Sequence, residues 1–104
     1  MKLKIFTVHD AAVEAYLQPF YMQSTGAAVR SFGDTVNTRD HHFAKHPADY
    51  TLFEIGEFDD QSCEINILQT FVPLGRAIDF VKQQDLDLNQ PDLPSIIKNQ
   101  SGDK

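Results

Sequence analysis

Cys63 is the only cysteine, so no disulfide can form within the chain. Whatever core exists must hold by packing alone, which suits a reducing compartment. Tryptophan is absent, and no apolar run nears the roughly 20 residues that a membrane helix needs. The opening stretch, Met1 to Asp10, is too short and too alternating for the apolar region of a signal peptide, so the protein is expected to stay in the cytoplasm where it is made and to avoid membranes. Glycine is sparse: Gly26, Gly33, Gly56, Gly75 and Gly102 stand alone, so no glycine-rich phosphate loop exists. There is no HExxH, no cysteine pair and no GxSxG elbow. A cationic excess is missing too. Nine Lys and Arg face fifteen Asp and Glu, for a net charge of −6. That opposes tight nonspecific binding to polyanions, which scales with the phosphates neutralised.

What is present is enough for one real core. The chain has 104 residues, 41% of them hydrophobic, with eight Phe and three Tyr, which fits a single domain of common size. Charge is unevenly placed. Residues 1–46 carry Lys2, Lys4, Arg30, Arg39 and Lys45 against Asp10, Glu14, Asp34 and Asp40. Residues 47–104 carry eleven acids against Arg76, Lys82, Lys98 and Lys104. A polyanion would meet the first part and be repelled by the second.

Residues 2–9 alternate as a strand, with Lys2, Lys4, Phe6 and Val8 on one face and Leu3, Ile5, Thr7 and His9 on the other. Apolar residues on both faces suggest a covered, central strand. Residues 16–21 read as an extended aromatic segment, because Pro19 discourages a helix. Residues 26–37 read as a helix. Ser24 or Thr25 can cap it, Ala28, Phe32 and Val36 form its stripe, Arg30 and Asp34 form an exposed i,i+4 pair, and Asn37 stops it. Gly33 weakens it by roughly 1 kcal/mol relative to Ala. Residues 38–49 read as a loop with one helical turn. Residues 50–58 and 64–68 pair as a β-hairpin across an Asp59-Asp60-Gln61-Ser62 turn, with Ile65 and Ile67 inward. Leu74, Ala77, Ile78 and Val81 predict a second helix over 74–83. Residues 83–104 read as a polar, flexible tail with Leu93, Ile96 and Ile97 as a docking patch. Residues 1–82 are then one α+β domain: a small antiparallel or mixed sheet with two helices on one face.

The residues offer little for catalysis. His41, His42 and His46 lie close together near Asp40 and Asp49, but Pro47 limits the helical geometry that would converge them on a metal. Acidic neighbours keep Cys63 a poor nucleophile, and Asp59 and Asp60 read as a solvated turn. No enzyme, metal or cofactor is expected. Nucleic acid is the remaining chemistry, since single strands bind cations for phosphates and rings for bases. The candidates are Lys2, Lys4, Tyr16, Phe20, Tyr21, Arg30, Arg39, Lys45 and His46, with affinity falling steeply as salt rises.

Several stretches resemble a known family. They are Met1 to Asp10, Val13 to Tyr21, Gly26 to Phe32, the run Phe43-Ala44-Lys45-His46-Pro47-Ala48-Asp49-Tyr50-Thr51-Leu52-Phe53-Glu54-Ile55-Gly56-Glu57-Phe58-Asp59-Asp60, and Leu74 to Phe80. Over about residues 1–82 the chain is similar to the small non-structural protein of gokushoviruses, single-stranded-DNA phages of the Microviridae. That resemblance implies a DNA-binding protein in the host bacterial cytoplasm, acting in viral single-stranded DNA synthesis or at its switch to packaging. It implies no catalytic residue. A homodimer is expected, because symmetry would double the basic patch and open edge strands invite pairing. The alternative is a protein-interaction module that uses its acidic hairpin and tail on a replication, host or capsid protein.

Overall fold

β1 (Lys2–Asp10) runs through the middle of the molecule. In the computed structural model, which describes residues 1–82, it pairs antiparallel with three other strands. The expectations for residues 83–104, including the Leu93, Ile96 and Ile97 patch, lie outside the described residues. β2 (Ala15–Tyr16) and β3 (Phe20–Met22) lie along one edge of β1, and β4 (Tyr50–Asp59) along the other. β5 (Ile65–Arg76) pairs with β4 and closes the five-stranded sheet as its outer edge. Ile5, Phe6, Thr7 and Val8 are all buried in succession, as befits the central strand of the sheet.

α1 (Thr25–Val36) forms where its pattern places it. Ser24 Oγ accepts from the Ala27 N–H at 3.1 Å, filling one of the donors that a helix start leaves free. Ala28, Phe32 and Val36 face Phe6, Val8 and Leu52 of the sheet, and with Tyr50 and Ala77 they make the core. Arg30 and Asp34 do not form the expected pair; among the described residues no ion pair involves either of them. At the far end Asn37 Nδ2 donates to the Gly33 and Phe80 carbonyls at 2.8 and 2.9 Å, which ties the helix to the last turn of the described chain. α2 (His42–Lys45) is one turn, packed through Phe43 on Phe32 and Tyr50. A 3₁₀ turn, Pro47–Asp49, then leads into β4.

The helix expected over 74–83 does not form. β5 continues through Arg76, with Pro73 opposite Phe53, Gly75 opposite Leu52 and Arg76 opposite Thr51. Only a 3₁₀ turn, Ala77–Phe80, follows. Gly75 has φ +152°, a backbone state that breaks a helix at once. Leu74 and Ala77 reach the core from the strand and the turn, while Ile78 and Val81 stay exposed, so helical spacing arose without a helix. A second correction concerns the hairpin. Ile65 and Ile67 do not point inward; they are 53% and 56% exposed.

Burial pushes the Tyr50 hydroxyl pKa above its ordinary 10.0, and Asp10 and Asp49 push it the same way. Its contribution to stability is therefore complete below that ordinary value and is lost as pH rises through the higher folded value. Tyr50→Phe should flatten the loss of stability above about pH 10, read by urea melts across the alkaline range.

Candidate functional site

The alternation of β1 sends Lys2, Lys4, Phe6, Val8 and Asp10 toward the helices and Leu3, Ile5, Thr7 and His9 away from them. On β4 a bulge intervenes. Ile5 is opposite Gly56 but Phe6 is opposite Glu54, leaving Ile55 without a partner on β1. The extra residue shifts the alternation by one. Glu54, Glu57 and Asp59 therefore all fall on the helix side, opposite Phe6, Lys4 and Lys2, while Phe53 and Phe58 fall on the other.

The charges on the helix side neutralise one another. Lys4 Nζ lies 3.3 Å from Glu54 Oε2, and Lys2 Nζ lies 3.8 Å from Glu57 Oε1. Thr25 Oγ1 donates to Glu54 Oε1 at 2.8 Å, which pins the start of α1 to the sheet. At the hairpin tip the amino terminus pairs with Asp60 at 2.9 Å. The backbone N–H of Gln61, helped by that of Ser62, the amino terminus and Lys2, holds the Asp59 carboxyl below its usual range. Asp59 is thus ionised near neutral pH and unfit to donate a proton.

Among the described residues, no helix lies over the opposite face of the sheet. Tyr21 of β3 stacks on Phe58 with ring centroids 5.7 Å apart and planes 18° from parallel. Tyr16 of β2 meets His9 at 4.7 Å, and Phe53 and Phe71 at 6.1 Å each, all edge to face. Such pairs fix ring positions beyond what burial alone does. Tyr16 and Tyr21 remain 53% and 49% exposed. Arg76, opposite Thr51, lies at the end of this face, with Asp79 Oδ2 4.0 Å from its Nε in an exposed pair. Among the described residues, no strand carboxylate falls on it in the observed registers.

Of the residues expected to bind nucleic acid, the structure brings only Tyr16 and Tyr21 onto one surface. Lys2 and Lys4 are across the sheet, each beside a carboxylate. Phe20 turns to the core and stacks on Phe6 at 5.7 Å. Arg30 is exposed on α1, Arg39 follows that helix, and Lys45 and His46 end α2. Sequence reasoning missed His9, Phe53, Phe58 and Phe71. A signal existed for Phe53, which alternates with Thr51, but the Ile55 bulge hides its kinship with Phe58. The histidine cluster is partly committed, since His41 Nδ1 accepts from the Phe43 N–H at 3.1 Å as the cap of α2. Among the described residues no three His, Cys, Asp or Glu side chains converge as metal ligands would. No helix among them is long and apolar enough to cross a membrane.

Residues 3–80, from β1 to the 3₁₀ turn after β5, match the family described as phage ORF5 protein. The chain belongs to the phage ORF5 protein family. No curated protein and no solved structure matches it. The ORF5 match ends at the 3₁₀ turn after β5, so the aromatic sheet face lies wholly inside the family region and residues 81–104 lie outside it.

Proposed function

We propose that this phage ORF5 family member is a non-catalytic accessory protein that binds single-stranded DNA by stacking bases on its open sheet face. One observation carries the reading: exposed tyrosines stand among phenylalanines on a face that the observed strand registers leave free of carboxylates. Rings take bases of any sequence, and strands that present no carboxylate on this face let phosphates approach. His9 and Arg76 are the groups placed to meet those phosphates. The resemblance to gokushovirus proteins supports a role in viral genome synthesis or its switch to packaging, in the host cytoplasm.

The ion pairs alter the expected salt dependence. With Lys2 and Lys4 occupied and Arg30, Arg39 and Lys45 on the helix layer, about one or two phosphates are neutralised per chain, so the slope of log affinity against log salt should be near −1. Fluorescence anisotropy with a labelled oligonucleotide tests this. Tyr16→Ala and Tyr21→Ala should each weaken binding by about 5- to 100-fold, and Arg30→Ala should leave it near the parent value. No saturable binding at low salt rejects the proposal. Binding that ignores both tyrosines but falls with Arg30, Arg39 and Lys45 would move the site to the helix layer.

A further inference from the structure

The cations carried by the strands are nearly all neutralised. Lys2 and Lys4 of β1 stand beside Glu57 and Glu54, and Arg76 of β5 stands beside Asp79. Among the described residues, His9 is the remaining strand residue with a basic side chain, and no ion pair there involves it. It lies half-buried on the open face, opposite Tyr16 of β2 and Thr51 of β4. Its ring meets Tyr16 edge to face at 4.7 Å, so it is the basic group beside a ring on which a base would stack. The other charged groups near it are few. Arg76, with Asp79, lies beyond Thr51 in the same row. Asp10, next on β1, points to the helix side opposite Tyr50, and its Oδ1 accepts from the Ala12 N–H at 3.0 Å. Glu14 is exposed in the turn between β1 and β2.

An imidazole differs from Lys and Arg in changing its charge between about pH 8 and pH 5. We infer that pH sets the affinity of the open face for single-stranded DNA through His9, whose protonation adds an uncompensated cation beside Tyr16. The inference rests on the open-face reading of the site and adds its regulation. Above that range an imidazole meets a phosphate only as a neutral hydrogen-bond donor. Protonated, it makes a charge-assisted contact, roughly twice as strong. Affinity therefore rises as pH falls. His41, His42 and His46 lie in and around α2 on the helix side, so their protonation leaves the open face as it is. Linkage makes the effect reciprocal: bound DNA must hold the proton on His9.

The test is anisotropy of the full chain with a labelled oligothymidylate, at low salt, at about pH 8 and about pH 5.5, either side of the imidazole range. The parent should bind about 3- to 10-fold more tightly at the lower pH, as one partly exposed charge contact gives. Its slope of log affinity against log salt should steepen there by about 0.7. His9→Gln should bind equally at the two pH values. His9→Lys, charged throughout, should also be flat and should bind more tightly than His9→Gln. His46→Gln should keep the pH dependence of the parent. Followed by proton NMR in the parent chain, the His9 imidazole should titrate at higher pH once the oligonucleotide is added. Equal parent affinity at both pH values overturns the inference. So does a pH dependence that survives His9→Gln, or one that His46→Gln removes. The NMR titration decides even where a His9 variant fails to fold, since a titration that DNA leaves unmoved overturns the inference too. A parent that binds with no pH dependence leaves the tyrosine face standing as the site, whereas no binding at either pH rejects both readings.

Discussion

Leu52→Ala is expected to lower the free energy of unfolding by about 2–5 kcal/mol. Leu52 is completely buried on β4, opposite Val8 and against the Ala28–Phe32–Val36 stripe of α1. It makes no polar contact that could compensate, so truncation leaves a cavity between two rigid layers. A domain of this size has about 5–15 kcal/mol in total, and the variant should lose a large part of it. Ile67→Ala is the control. Ile67 has more side chain than alanine to lose, yet it is over half exposed on β5, and in the monomer it should cost under about 1 kcal/mol. Urea melts on both variants, with the m-value held as a check on the unfolded state, measure the contrast. Equal losses would mean that β5, and not the α1–sheet contact, carries the core.

The elements that were legible in the sequence are those in which one local rule decides. α1 has a serine cap, a four-residue apolar repeat and an asparagine stop, and each makes its expected contact. β1 alternates cleanly, and the acidic turn after Asp59 could only reverse the chain. What was hidden depends on departures from period. The bulge at Ile55 shifts the alternation of β4, so Phe58 leaves the side of Leu52 and joins Phe53. The run Leu74–Ala77–Ile78–Val81 has helical spacing, but a single glycine in a positive-φ state keeps the chain extended. The site was hidden for a different reason. β1 carries apolar residues on both faces, and alternation cannot say which of them a helix will cover. Charge and aromatic rings are therefore the only signals on which the candidate residues rest. Tertiary pairing then removed Lys2 and Lys4, because the strand register brings Glu57 and Glu54 beside them, and it gave Phe20 to the core. Of the ring candidates, only the two tyrosines reach the face that remains open.

Gly33 and Gly75 look alike in the sequence, and the structure separates them. Gly75→Ala should cost about 2–4 kcal/mol. A side chain at φ +152° strains the backbone by roughly 1–3 kcal/mol, and the added Cβ would sit 2.8 Å from Phe80 Cε2. Phe80 cannot simply withdraw, because its ring packs edge-on against Phe32 at 5.5 Å and its carbonyl accepts from Asn37. Pushing it therefore disturbs α1, the 3₁₀ turn and β5 together. Gly33→Ala meets the same ring from the helix side, but its Cβ would lie at 3.4 Å, an ordinary contact. There the gain in helix propensity, up to roughly 1 kcal/mol, should make the change neutral to stabilising. Thermal melts of the two variants should thus move in different directions, with Gly75→Ala falling well below the parent. Two falls of similar size would mean that Phe80 is clamped equally from both sides. No fall at Gly75 would mean that β5 ends before it, and that its extension through Arg76 does not hold.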